Sequence, residues 1–355
     1  MSEIQQRKSL ALKYRPKTWN QVVEQNAIKQ ILSTELATGN LKRCMLFAGS
    51  AGCGKTTSAR IFANEIEPLK SNVFEINCAD NTGVEDMRRL VIDPSYVKPL
   101  AGKYKIFILD ECHQATVQAQ NALLKLLEEP PSYCVYILCT TDPQKVISTI
   151  MSRAVRYDFS LISHQGIIDR LKFILESEKN SPDGIGVESW TDEALDLIAT
   201  SAQGHLRNAV IATEKALSYS KNLTAAEVEK VLGVTSYDIL FSILNCLLSK
   251  NQTELLTSLD TLSKSGMDLK LFVKNFLAFV LEINKYVILK NENIQNPMQY
   301  VTLPKSFEQR MVVYNVTHKE MLKSILQGLV ELNSVLKWET DVKPVLETNF
   351  LLMVV

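Results

Sequence analysis

Two short stretches hold the residues best suited to chemistry. The first, GSAGCGKT from Gly49 to Thr56, fits the spacing G-x-x-x-x-G-K-[ST]. Its glycines let backbone N–H groups turn inward around phosphate oxygens, its lysine supplies a cation and its threonine offers a hydroxyl to Mg2+. Gly49, Ser50, Ala51, Gly52, Cys53, Gly54, Lys55, Thr56 and the following Thr57 are therefore the candidate phosphate contacts, with Cys53 a small residue the loop tolerates. The second stretch, ILDECH from Ile108 to His113, sets Asp110, Glu111, Cys112 and His113 side by side. Taken alone it suits three chemistries: a metal cluster, a helicase-type box, or the acidic end of an ATPase strand.

The elements that must position these residues separate the three. The runs CMLFA (44–48), VFEIN (73–77), KIFIL (105–109) and VYILCT (135–140) are almost continuously apolar and alternate with helical patterns. That predicts a parallel sheet covered by helices on both faces. The phosphate stretch follows the first strand and opens the helical SARIFANEI, whose N-terminus adds partial positive charge. Asp110 then ends the strand KIFIL, placed to hold Mg2+ mainly through water, and Glu111 is placed to polarise an attacking water. Zinc asks for about four converging N or S ligands, whereas neighbours on a strand point to opposite faces. His113 is accordingly expected to pack or hydrogen-bond, and Cys112 to be small and buried. A helicase needs a second strand–helix domain, and residues 236–355 show no alternation that would build one.

Between the last two strands, Ala119, Ala122, Leu123, Leu126 and Leu127 form one helical stripe, with Gln118, Asn121 and Lys125 on the other face. Pro130-Pro131 stops that helix. After about residue 160 the strand signals fade. SPDGIG (181–186) reads as a loop, and Thr191 as the N-cap of a helix with acids in its first turn. GHLRNAVIATEKAL and TAAEVEKVLG read as two further helices, followed by a leucine-rich helical remainder. Boundaries near 162 and 235 give three domains: 1–162, 163–235 and 236–355.

The chain of 355 residues balances 39 basic against 39 acidic side chains, so any nucleic-acid contact must come from a local patch. Its seven cysteines, at 44, 53, 78, 112, 134, 139 and 246, form no CxxC pair, which argues against a zinc ribbon or disulfide framework and fits a reducing cytoplasm. MSEIQQRKSLALKYRPK has no apolar core of a signal peptide, and no run approaches the length of a membrane span.

From about residue 10 to 235, and more faintly beyond, the chain resembles the AAA+ clamp-loader ATPases of the bacterial DNA polymerase III gamma/tau type. The resemblance rests on KYRPKTWNQVVEQ (13–25), the phosphate loop, NALLKLLEEPP (121–131), TTDPQK (140–145), MSRAVRY (151–157) and GHLRNAV (204–210). It implies an α/β P-loop NTPase domain of the AAA+ class over 1–162, a helical lid over 163–235 and an all-α collar over 236–355. It implies that Tyr14, Arg15, Val22 and Val23 line the adenine and ribose pocket. Thr141 would be sensor 1, Arg207 would be sensor 2 on the lid, and Arg153 would be an arginine finger entering a neighbouring subunit's site. The cofactors implied are ATP and Mg2+. The partners implied are other clamp-loader subunits in a ring of five, a sliding clamp and primer–template DNA, in the cytoplasm of a bacterium or a phage-infected one, with no membrane. ATP binding would open and load the clamp, and DNA-triggered hydrolysis would release it.

The departures are as informative. The family's four-cysteine zinc module has no counterpart in NEIEPLKSN (64–72), so no zinc is expected. Ala154 stands where the family has a cysteine, and Glu24 where it has a glycine. Asn81 and Gly83 stand where DNA-contacting basic residues are usual, while Lys125, Arg88 and Arg89 remain as DNA candidates. No counterpart of the tau extension is expected. These departures suggest a divergent member and leave a phage origin open. Two other functions stay open at this point. One is a replication factor C-like or other AAA+ remodeller; the other is a structural clamp-loader subunit with little hydrolysis.

Overall fold

Apolar runs of five to seven residues, too short for buried helices, become the strands of a parallel sheet in the computed structural model, which describes residues 8–354 apart from 234, 265–266 and 304–306. Part of the N-terminal stretch read for a signal peptide thus lies outside the described residues. The strands are β1 (Cys44–Gly49), β2 (Val73–Asn77), β3 (Lys105–Asp110), β4 (Cys134–Thr140) and β5 (Val155–Phe159). Their order is β2-β3-β4-β1-β5, all parallel. The first four match the sequence expectation to within a residue or two. β5 was not foreseen as a strand, because Val155, Arg156 and Asp158 are exposed at the sheet edge and only Tyr157 and Phe159 face inward. This edge strand lacks the continuous apolar run that marks the other four.

Helices cover both faces. They are α1 (Leu10–Lys13), α2 (Asn26–Thr38), α3 (Lys55–Ile66), α4 (Val84–Met87), α5 (Asp93–Ser95), α6 (Val117–Glu128) and α7 (Ser148–Met151). A π-helical turn, Arg88–Ile92, joins α4 to α5. One core, with Leu46, Phe107, Leu123 and Leu138, lies under α6, and the other, with Phe47, Phe62, Ile108 and Ile137, lies under α2 and α3. α6 starts on Thr116, whose hydroxyl accepts from Ala119 N, and ends at Glu128 just before Pro130. Lys125 is on its exposed face, while Gln120, unremarked in the sequence, is buried between the carbonyls of Ala115 and Lys145 and the amide of Ile147.

After α8 (His164–Lys179) come the short strand β6 (Ser189–Trp190), α9 (Asp192–Ala202), α10 (Leu206–Tyr219), β7 (Asn222–Leu223) and α11 (Ala225–Leu232). The two-residue β6–β7 ladder was not legible in the sequence. Thr191 caps α9 through Ala194 N, as expected. The rest is helical: α12 (Tyr237–Leu248), α13 (Gln252–Lys264), α14 (Leu269–Asn291), α15 (Glu308–Met311), α16 (Lys319–Val335) and α17 (Val342–Val354). Among the described residues no single helix is long and apolar enough to cross a membrane.

The chain falls into two compact units. One gathers the described residues up to Ile174 together with Ala202–Ile211. The other gathers Leu175–Ser201 with the described residues from Ala212 on. The first half of α8 and the start of α10 thus pack with the sheet. Within the second unit the core is aromatic: Phe276 of α14 stacks on Phe272 at 5.7 Å and lies 5.7 Å from Phe350 of α17.

Candidate functional site

Register brings the carboxyl ends of the strands level: Ala48 pairs with Thr140, and Leu109 with Leu138. The residues that follow β1, β3 and β4 therefore share one edge of the sheet, which is where parallel sheets place their ligands.

The loop after β1 turns on its glycines. At Gly49 a Cβ would collide with the carbonyl of Phe159 on β5. Gly54 reaches φ +104 at the N-terminus of α3, a conformation costly for any side chain. Lys55 opens α3, is buried, and donates from Nζ to the carbonyls of Gly49 (2.7 Å) and Ser50 (2.8 Å). Its ammonium is thus held inside the loop rather than in solvent. Thr57 is half-buried one residue beyond Thr56. Cys53 is buried and its Sγ donates to Ser50 O at 2.9 Å, with burial pushing the thiol's pKa up.

Thr56 donates its hydroxyl to both carboxylate oxygens of Asp110, at 2.9 and 3.0 Å. Burial raises the Asp110 pKa above the usual carboxylate value, and the Thr56 hydrogen bond opposes that. A carboxylate that burial makes costly, beside a hydroxyl, is a donor pair suited to a divalent cation, whose charge would restore the ionised form. Glu111 turns off the strand at φ +49, a left-handed conformation that is uncommon for a glutamate. Its Oε2 accepts from Thr141 Oγ1 at 2.9 Å and lies 3.4 Å from His113 Nδ1. The same imidazole is 3.1 Å from Thr140 Oγ1 and, through Nε2, 3.0 Å from Gln114. His113 is therefore a hydrogen-bonding residue beside the site, and Cys112 is buried in the core under α6. Among the described residues, no group of three or more His, Cys, Asp or Glu side chains is arranged to hold a metal.

Arg207, one residue into α10, sets its Cβ against the position a Gly52 side chain would take. Its guanidinium is exposed and has no hydrogen-bond or ion-pair partner among the described residues. The neighbouring His205, which the sequence did not single out, ties its Nδ1 to Ala51 O at 2.7 Å. Loop and α10 are thus joined directly.

Val22 is buried, and Tyr14, Arg15 and Val23 are half-buried. Their segment is fixed by its backbone: Lys29 donates to Val22 O at 2.6 Å, and Arg170 of α8 to Tyr14 O at 2.7 Å.

The remaining candidates lie apart from this cluster. Arg153, after α7, donates from Nε to Glu128 Oε1 at 2.9 Å and from Nη1 to Thr149 O at 2.7 Å, with Nη2 also on Glu128. Its guanidinium is held on α6 and α7, away from Lys55. Lys125 is exposed on α6 with no ion-pair partner among the described residues. Arg88 and Arg89 sit on the π-helical turn after α4, which packs on α6, and face Glu85 (3.7 Å) and Asp86 (3.4 Å). The link from α3 to β2 is a short turn, Lys70–Asn72, closed by the Glu67 carboxylate, which accepts from Lys103 N (2.7 Å) and Tyr104 N (2.9 Å).

Much of the chain is similar to known proteins. Residues 70–163 match a family described as DNA polymerase III, delta subunit, and residues 223–334 match DNA polymerase III subunits gamma and tau domain III. The DNA polymerase III subunit tau of Bacillus subtilis is 32% identical over 295 residues, covering 77% of this chain and 51% of that protein. The DNA polymerase III subunit gamma of Buchnera aphidicola subsp. Baizongia pistaciae is 32% identical over 296 residues, covering 77% of this chain and 76% of that one. This chain therefore spans about half of the first relative and about three quarters of the second. Among solved structures, the RuvB branch migration motor of Thermotoga maritima is 20% identical, covers 66% of this chain and 79% of its own, and superposes with a TM-score of 0.49.

Proposed function

The chain belongs to the DNA polymerase III gamma/tau family of AAA+ clamp-loader proteins, and on that premise we propose that it is an ATP-hydrolysing subunit of a sliding-clamp loader. One observation carries the hydrolytic part: Thr56, Asp110, Glu111 and Thr141 are joined in one hydrogen-bonded row beside a buried lysine at a helix N-terminus. A subunit kept only for structure has no need to hold a glutamate in a left-handed conformation beside an aspartate that burial disfavours.

Each residue then has a task. Lys55 exchanges its two carbonyl partners for β/γ-phosphate oxygens, and the N–H groups of the loop and of α3 face the same charge. Thr56 and Asp110 are the residues that would hold Mg2+, which when bound neutralises charge on the phosphates. Glu111 orients and polarises the attacking water, with Thr141 and His113 fixing its carboxylate. Arg207 supplies a cation from α10. Tyr14, Arg15, Val22 and Val23 receive the base and ribose. Arg153 serves a neighbouring subunit, since its guanidinium is held away from its own Lys55.

The three-part division into ATPase (1–162), lid (163–235) and collar (236–355) belongs to this reading. So do a five-membered ring with other clamp-loader subunits, a clamp, primer–template DNA met by Lys125, Arg88 and Arg89, a site without zinc, and a cytoplasmic setting. Binding of ATP would let the ring open the clamp, and hydrolysis on primed DNA would release it. ATPase rates measured with clamp and primed DNA, separately and together, test it. Stimulation that needs both is expected; indifference to both would favour a remodeller acting on another partner.

A further inference from the structure

Residues 24 and 25 have φ of +52 and +53, two successive non-glycine residues in the left-handed region. Such a pair persists only where surrounding contacts hold it. Both side chains reach across 135 residues or more of sequence to the same place. Gln25, buried, donates from Nε2 to Ser160 O at 2.7 Å and accepts from Ser160 N at 3.3 Å. Glu24 accepts from Ser163 N with both oxygens, at 3.3 and 3.2 Å, and from Ser163 Oγ. Ser163 immediately precedes α8, so the Glu24 carboxylate sits at that helix's N-terminus, where the exposed N–H groups favour negative charge. The fit is close: a Cβ on Gly166, in the first turn of α8, would come within 2.6 Å of Glu24 Oε1. One helical stretch further on, Arg170 closes on Tyr14 O. Ile162 N, next to Ser163, donates to Gly204 O at 3.1 Å, and His205 beside it reaches the phosphate loop at Ala51.

The segment 14–25 is thus pinned at three points to residues 160–170, which connect in turn to the phosphate loop through 204–205. We propose that Glu24 is a positioning residue for base recognition. It touches no phosphate; it holds the segment that receives the base in register with α8 and, through α8, with the phosphate loop. This rests on the assignment of Tyr14, Arg15, Val22 and Val23 to the base. It also explains how a glutamate is kept at a backbone position suited to glycine: the strain at φ +52 is offset by the two-oxygen grip on Ser163.

The test is binding of Mg–ATP and of Mg–tripolyphosphate, which lacks base and ribose, to the full chain and to two variants, with thermal unfolding alongside. Glu24→Gly removes the grip and relieves the backbone, so its unfolding midpoint should stay near that of the parent. Its ATP affinity should fall about tenfold, while its tripolyphosphate affinity stays within about twofold. Glu24→Gln keeps one accepting oxygen for Ser163 and should hold most of the preference for ATP. The proposal is overturned if Glu24→Gly keeps the parent's preference for ATP over tripolyphosphate, or if both affinities fall together, which marks a structural role only. If the parent itself shows no preference for ATP over tripolyphosphate, the base assignment fails, and that result is distinct from either.

Discussion

At the carboxyl edge of the sheet, polar groups from three separate segments meet in one row: Thr56 on Asp110, Asp110 beside Glu111, Glu111 on Thr141, with Lys55 folded into its loop. In the helices after Tyr237 the corresponding contacts are between rings. Phe272, Phe276, Phe279 and Phe350 pack on one another, and Phe241 on Phe279 and Phe307. The first region tolerates few residue types, because each group must be of the right charge at the right distance. The second asks for apolar volume at helical spacing, and many sequences provide that. Charged chemistry and apolar packing place different demands on one chain, and substitutions should separate them.

The largest effect should come from the row itself. Glu111→Gln should keep ATP binding and slow hydrolysis by about 10²- to 10⁴-fold, the usual span for a lost general base. Lys55→Ala should do the reverse first, lowering ATP affinity about 10- to 100-fold as a charged hydrogen-bond donor is removed. Equilibrium binding and single-turnover hydrolysis on both variants check this. Strong binding by the lysine variant with weak binding by the glutamate variant would reverse the assignment.

Next in size, Phe276→Ala empties a fully buried site in the second unit and should cost about 3–5 kcal/mol of its stability. If the two regions are separable, denaturant unfolding shifts while ATP affinity of the folded protein holds. A matching loss of ATP affinity would break the comparison.

Acid should act on the two regions at different pH. In the second unit, hydrogen bonds from Lys264 and Lys343 lower the Asp260 pKa to about 2. A depressed carboxylate stabilises the fold above its unfolded value near about 4, and that contribution is lost as pH falls from about 4 toward about 2. Asp110 is shifted the other way by burial, so its ionised form is the strained one and protonation sets in earlier on acidification. Mg2+-dependent ATP binding should therefore weaken at a higher pH than the Asp260 contribution to stability. Parallel titrations of binding and unfolding would show the order; the reverse order contradicts it.

The smallest effect is expected at Lys125. Removing one phosphate contact should lower the slope of log affinity for primed DNA against log salt by about 1, leaving basal ATPase unchanged. Equal losses of both activities would mean that the helix face is structural.

The same contrast explains what could be read in advance. Lys55, Thr56, Asp110 and Glu111 were legible because phosphate chemistry fixes both residue type and spacing, and their strands were continuous apolar runs. Thr141, Arg153 and Arg207 needed the family resemblance, since a lone threonine or arginine has no signature of its own. Arg170 and His205 escaped altogether, and Glu24 was visible only as a departure from the family: each acts on a backbone atom more than 130 residues away, and sequence spacing does not record such pairings. His113 was conspicuous, but its partners Glu111 and Thr140 appear only once β3 and β4 are side by side. β5 was lost to its exposed, charged edge, and the C-terminal helices were visible as helices but not as a packing arrangement.

The central claim, that hydrolysis is completed across a subunit boundary by Arg153, has a direct test in mixed assemblies. Arg153→Ala should bind ATP yet lose about 10³- to 10⁵-fold in hydrolysis, as for a missing arginine finger. Lys55→Ala keeps the finger and loses the phosphate grip. Combined in one ring, with mass spectrometry confirming that the rings are mixed, the second variant's Arg153 can enter the first variant's intact loop. ATPase activity that neither variant shows alone is the expected result. Confirmed mixed rings that remain inactive would place Arg153 outside the catalytic boundary and contradict the account.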